Sequence, residues 1–137
     1  METNAEQFGL LIVCHGSPRR AANDGFIAMV GRIEARLGMN NVLPAFFAVV
    51  RPNIPDQVTE LASRGVKRIV LMPYFLFDGQ HVSVDIPNIL RECHDWFPDV
   101  TLELMPTLEN DPGVEAIVLE RLLPLVPEST VPPEEVT

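Results

Sequence analysis

The chain has 137 residues, is 47% hydrophobic, and carries a formal net charge of −9. That length supports one buried core without disulfides or a structural metal, and the composition is too apolar for a disordered segment. The negative balance argues against nucleic acid, which needs a basic face.

Residues 9–14 form a short continuous apolar run, which predicts a strand buried on both faces. Residues 22–38 read as a helix, with Phe26, Met29, Val30, Ile33 and Leu37 at helical spacing, and Gly38 and Asn40 as its stop. Residues 42–50 predict a second strand with Pro44 near its start. A second helix is expected over 54–64, with Pro55 in its first turn and Gly65 ending it. Residues 67–76 predict the third strand and 84–97 a helix entered at Asp85-Ile86-Pro87. Residues 100–105 predict a fourth strand and 112–123 a last helix. From Pro124 the composition turns to Pro and Glu, so 1–123 is expected to be one domain and 124–137 a tail.

The alternation of strands and helices predicts an α/β fold, a four-stranded parallel sheet flanked by helices in a three-layer sandwich. By analogy with flavodoxin-like sheets, the expected strand order is 2-1-3-4. No apolar run approaches the roughly 20 residues of a membrane helix. The polar, acidic opening Met1-Glu2-Thr3-Asn4-Ala5-Glu6-Gln7 is unlike a signal peptide. A cytoplasmic protein without membrane or nucleic-acid partners is expected.

Two of the three histidines follow apolar strands. His15 ends the first run, and His81 lies in the long segment after the third. Ligands of parallel sheets bind beyond the carboxyl ends of the strands. If strands one and three are neighbours, His15 and His81 face one cleft. A pair of imidazoles there can bind a transition metal, accept protons, or do both in turn. His94, inside a predicted helix, reads as a surface residue.

The chain has no Gly-x-x-x-x-Gly-Lys loop and no Gly-x-Gly-x-x-Gly after the first strand, which argues against ATP and dinucleotides. Instead, the first loop reads His15-Gly16-Ser17-Pro18-Arg19-Arg20. Ser17, Arg19 and Arg20 can bind carboxylates, or they can form a helix cap with a solvated basic pair. After the third strand, Phe75 and Phe77 can line an apolar pocket, with Gln80, His81, Ser83 and Asp85 close to it. Alternatively Ser83 or Asp85 caps the next helix and the aromatics belong to the core, and Asp85 can orient His81. Cys14 and Cys93 lack a metal-type spacing, and Cys14 reads as a packed strand residue.

These residues resemble the short sirohydrochlorin cobaltochelatases, the CbiX-type class II chelatases. The likeness rests on His15-Gly16-Ser17 with Asn23 and Phe26, on Ala45-Phe46-Phe47 and Pro52, and on residues 65–76. Its most specific part is Gly79-x-His81 followed by Asp85-Ile86-Pro87. The likeness covers roughly residues 9–123. It implies insertion of a divalent metal into a tetrapyrrole without ATP, with His15 and His81 as metal ligands and proton acceptors. It also implies a homodimer, while longer relatives look like a fused duplication of the short form. No organic cofactor is implied. Co²⁺, or alternatively Ni²⁺ or Fe²⁺, is itself a substrate and suits imidazole better than a hard ion does.

Two departures from the family pattern stand out. A Glu common after the strand-two aromatic pair is Ala48 here. A Pro-Leu-Gly-x-His-Pro segment is replaced by residues 106–112, Pro-Thr-Leu-Glu-Asn-Asp-Pro. The rival reading is a non-catalytic metal or tetrapyrrole carrier on the same fold. Because the substrate is a polycarboxylate and the protein is acidic, Arg19, Arg20 and Arg51 are expected to supply local attraction.

Overall fold

The computed structural model describes residues 7–128, and the first apolar run forms its central strand, β1 (Phe8–Cys14). There follow α1 (Arg20–Leu37), β2 (Val42–Phe46), α2 (Ile54–Ser63) and β3 (Arg68–Pro73). A single π turn (His81–Asp85) leads into α3 (Ile86–Trp96). Then come β4 (Thr101–Leu104), α4 (Pro112–Leu122) and a 3₁₀ turn (Leu123–Leu125). The strands form one parallel sheet of order β2-β1-β3-β4, the order expected.

Alternation along the strands divides the core in two. Leu11, Val13, Ile69 and Leu71 pack with Ile54, Val58 and Leu61 of α2 and with Ile86 and Leu90 of α3. Ile12, Val42 and Phe46 pack with Phe26 and Val30 of α1 on the other face. Removing a side chain such as Leu61, which is fully buried, costs about 2–5 kcal/mol.

Local chemistry sets the helix ends. Gly38 adopts the left-handed conformation, φ 65°, and its N–H closes onto the carbonyls of Glu34 and Ala35. At the start of α2, Asn53 Oδ1 accepts from the Asp56 N–H at 2.9 Å, and Asp56 Oδ2 accepts from the Asn53 N–H at 2.9 Å. This reciprocal capping box is joined by Arg51, whose Nε donates to Asp56 Oδ2 at 2.9 Å. Arg51 is thus engaged in holding α2, a role different from the substrate contact expected of it.

Several boundaries differ from the expected ones. The second strand ends at Phe46, not at residue 50. The chain turns there through Val49 at φ 75°, and the Arg51–Pro52 peptide is cis. The third strand ends at Pro73, and the Phe75 N–H bonds back to the Pro73 carbonyl at 2.9 Å. In both cases the apolar composition outlasts the ladder. The helix expected from residue 84 begins at His81 as a π turn, in which the Ile86 N–H reaches the His81 carbonyl. Pro87 explains it: the ring offers no N–H to Ser83 and crowds that carbonyl, so the preceding turn widens.

Within the expected tail, Pro124 and Leu125 belong to the 3₁₀ turn, and residues 129–137 lie outside the described residues. Among the described residues, no helix is long and apolar enough to cross a membrane.

Asp56 gives the fold an acid limit. The hydrogen bond from Arg51, then the backbone bond at Asn53, lower its pKa to about 2, against about 3.9 for an unperturbed Asp. A depressed native pKa stabilises fully above the unfolded value and is lost as pH falls through the native one. Stability is therefore expected to fall between about pH 4 and pH 2. Asp56→Asn should flatten that part of a urea-denaturation profile while lowering stability at neutral pH.

Candidate functional site

The site is built around the carboxyl end of β1, where both neighbouring segments bond to successive carbonyls. The Tyr74 N–H donates to the Val13 carbonyl at 2.7 Å. The Phe47 N–H donates to the Cys14 carbonyl at 2.7 Å, and the Ala48 N–H to the His15 carbonyl at 2.9 Å. Gly16 then turns the chain away with φ 96°. A Cβ on Gly16 would lie 2.3 Å from the Ala48 carbonyl oxygen, so the close approach and the backbone angle both demand glycine.

A second clamp holds the same loop. The Ser17 N–H donates to Asn23 Oδ1 at 3.0 Å, and Asn23 Nδ2 donates to the Ser17 carbonyl at 2.8 Å. Ser17 Oγ accepts from the Arg19 N–H at 3.0 Å. Ser17 thus serves the entry to α1. Arg19 is exposed at the helix start, and Arg20 is exposed with Asp24 3.7 Å away. The basic pair is solvated, as one reading expected, but the expected cap is not formed: Arg19 is the N-cap position of α1 and no side chain caps the helix.

The loop after β3 brings His81 back over this corner. The His15 and His81 ring centroids lie 5.5 Å apart, so the two histidines meet at the carboxyl ends of β1 and β3. Phe47 completes the cluster, with its ring 4.5 Å from His81 and 6.0 Å from His15. Of the two expected aromatic walls, Phe75 is half-buried against the α2–α3 core and Phe77 is 69% exposed. The ring beside the histidines is that of Phe47. It was visible in the sequence as half of an aromatic pair, but strand alternation could not assign it because the strand ends one residue earlier.

The contacts at Nδ1 favour one tautomer for each neutral imidazole. His15 Nδ1 lies 3.2 Å from the Gly16 carbonyl, and His81 Nδ1 lies 3.0 Å from Asp85 Oδ2. A carbonyl and a carboxylate only accept, so Nδ1 donates in each case, and in the neutral ring Nε2 keeps the lone pair. Asp85 makes no side-chain cap to α3; its carboxylate orients His81 instead. Ser83 Oγ donates to the Gly79 carbonyl at 2.9 Å and Gln80 stands exposed at the π turn.

Cys14 is half-buried, and burial raises its thiol pKa, which disfavours the thiolate a metal would require. Cys93 is buried and pushed up to about 11. His94 is exposed on α3, with Nδ1 3.3 Å from the Val100 carbonyl. Among the described residues, no group of three or more His, Cys, Asp or Glu side chains is arranged to hold a metal ion. His15 and His81 stand as a pair, with their rings tilted at 47° to one another.

The CbiX family model matches residues 9–124. A chloroplastic sirohydrochlorin ferrochelatase of Arabidopsis thaliana is 33% identical over 68% of this chain and 41% of its own length. A sirohydrochlorin cobaltochelatase of Methanothermobacter thermautotrophicus is 37% identical over 66% of this chain and 64% of its own. The chain therefore spans less than two thirds of either relative. Among solved structures, SirB from Bacillus subtilis with Fe³⁺ superposes with a TM-score of 0.82 at 22% identity. That match covers 88% of this chain and 48% of the other.

The loop clamps are open to direct test. Gly16→Ala is expected to cost about 2 kcal/mol or more, from the left-handed backbone and the Ala48 contact together. Asn23→Ala, losing two hydrogen bonds, is expected to cost about 1–2 kcal/mol. Urea denaturation measures both. A Gly16→Ala variant of unchanged stability would show that the turn relaxes freely.

Proposed function

The chain belongs to the CbiX family, and on that premise we propose that it inserts a divalent metal into sirohydrochlorin or a related tetrapyrrole without ATP. One observation carries the reading. Both cleft histidines hold Nδ1 against an acceptor, Gly16 O for His15 and Asp85 for His81, which leaves two Nε2 lone pairs for chemistry. The metal is a substrate. Co²⁺ is the first choice, with Ni²⁺ and Fe²⁺ as alternatives, since imidazole suits all three. The names of the two relatives, one a ferrochelatase and one a cobaltochelatase, support iron as well as cobalt.

In this mechanism the macrocycle lies over the carboxyl ends of β1 and β3, against Phe47 and the exposed Phe77. His15 and His81 bind the incoming ion through Nε2. As the pyrrole nitrogens take the metal, two N–H protons must leave. An imidazole that has released the metal has its lone pair back and accepts a proton. Asp85 stabilises the resulting imidazolium of His81. Arg19, Arg20 and Gln80, exposed on the segments that carry the two histidines, are the partners for substrate carboxylates, while the Ser17 and Ser83 hydroxyls hold their own loops. The protein works as a homodimer, because one copy offers an open cleft and a second can cover the macrocycle.

The carrier reading is favoured by Ala48, where the family commonly has an acid. Turnover separates the two. Protein at substoichiometric concentration is mixed with sirohydrochlorin and Co²⁺, and the absorbance change is followed. Many equivalents metalated mark a chelatase; at most one equivalent per chain marks a carrier. His15→Ala and His81→Ala are each expected to lower insertion about 100-fold or more with circular dichroism unchanged. Asp85→Asn is expected to lower it about 10–100-fold. Unchanged turnover in either histidine variant would remove that residue from the mechanism.

A further inference from the structure

Residues 106–112, Pro-Thr-Leu-Glu-Asn-Asp-Pro, contribute no histidine to the site, yet they are bonded to the loop that delivers His81. The Met105 N–H donates to the Leu71 carbonyl at 2.9 Å, at the end of the β3–β4 ladder. The chain then turns on itself. The Asp111 N–H donates to the Leu108 carbonyl at 3.1 Å, Asn110 stands at φ 61°, and Asp111 Oδ1 accepts the Gly113 N–H at 2.7 Å where α4 begins. Thr107 and Leu108, both half-buried, are thereby held from either side.

The loop after β3 is anchored at two places. On one side the Leu108 N–H donates to the Phe75 carbonyl at 3.0 Å, and Phe75 packs on the core. On the other, the Gly79 carbonyl accepts the Val82 and Ser83 N–H groups at 3.1 and 3.0 Å, and Val82 is buried. Between these anchors Leu76, Phe77 and Asp78 are exposed. Among the described residues, one hydrogen bond ties this short span to another part of the chain: Thr107 Oγ1 donates to Asp78 Oδ1 at 3.0 Å. Its direction is set at both ends. A carboxylate only accepts. The Glu109 N–H donates to Thr107 Oγ1 at 3.3 Å, so the single hydroxyl proton is left for Asp78.

We infer that Thr107 is a positioning residue: through Asp78 it holds the adjoining Phe77 in place as a preformed apolar wall for the tetrapyrrole. This rests on the function proposed above and names the residue that shapes its substrate contact. Phe77 is 69% exposed, so packing alone does little to fix it. A phenyl ring and a span of backbone that must be ordered when the ligand arrives subtract from affinity. A bond already made in the free protein removes part of that cost. His81 does not depend on it, because Asp85 and the buried Val82 and Ile86 hold the turn on which it stands. Thr107 therefore acts on tetrapyrrole binding and not on the histidine pair.

Binding of metal-free sirohydrochlorin to the full chain, followed by its absorbance, tests this. Thr107→Val keeps the shape of the side chain and loses the donor. It is expected to raise the dissociation constant about 3- to 10-fold. Thr107→Ser keeps the hydroxyl and is expected to restore wild-type affinity. Phe77→Ala should weaken binding as well. Adding Thr107→Val to Phe77→Ala should weaken it no further, because the ring to be positioned is gone. In turnover, the Thr107→Val loss is expected in KM for the tetrapyrrole and not in kcat. Unchanged affinity in Thr107→Val overturns the inference. So does a Thr107→Val effect that adds in full to that of Phe77→Ala, and so does a Thr107→Ser variant as weak as Thr107→Val. A chain that shows these couplings in binding but never turns over refutes metal insertion and leaves the role of Thr107 standing. A chain that turns over without them refutes that role alone. A wild type that binds no tetrapyrrole overturns both.

Discussion

Everything at the cleft depends on how β1 ends. Its final carbonyls are shared between two neighbours, with Val13 O taken by Tyr74 and Cys14 O and His15 O taken by Phe47 and Ala48. Backbone acceptors at the end of a strand seek partners, and these bonds fix both flanking segments relative to His15. Gly16 allows the turn because nothing larger fits beneath the Ala48 carbonyl. The result is a rigid corner on which one histidine and one phenyl ring stand, with the second histidine delivered from the β3 side. Sites on the ends of a packed sheet hold geometry better than sites on free loops.

The second histidine is held by a different device. Its helix begins with a π turn that places Asp85 four residues on and within 3.0 Å of Nδ1. Pro87 is the cause of the wide turn, and the wide turn shapes the start of the helix where His81 and Asp85 stand. A proline in the first turn of a helix is usually explained by its missing donor alone. Here the same missing donor also serves the site, two links further along the chain from sequence to chemistry.

The strand order and the meeting of His15 with His81 were legible in the sequence, because continuous apolar runs and right-handed crossovers leave few arrangements. The ends of strands two and three were not. Val49 and Val50, and Tyr74 and Phe75, are as apolar as the strands they follow, while the ladder stops for reasons of backbone geometry that composition does not carry. For the same reason Phe47 was seen only as one of a pair, and Phe75 was placed in the cleft although it packs on the core. Asp85 had two readings, and only the distance to His81 separates them. Asn23 could be noted but not explained, since its two bonds to Ser17 depend on the loop's fold.

The distribution of positive charge completes the picture of the cleft. Arg51 is bound to Asp56, Arg64 to Glu60 at 2.8 Å, and Arg68 to Glu103 at 2.5 Å. These guanidinium groups hold helix and strand ends together, and a substrate carboxylate would have to displace a protein one to reach them. Arg20 differs: its side chain is 93% exposed and its partner Asp24 stands 3.7 Å away, a contact worth little in water. Arg19 is exposed beside it, one residue from the Ser17–Pro18 turn. In an acidic protein, attraction for a polycarboxylate has to be local, within a Debye length of the site. Under the proposed function, Arg19 and Arg20 on the loop that carries His15 are cations near the site that no strong ion pair holds.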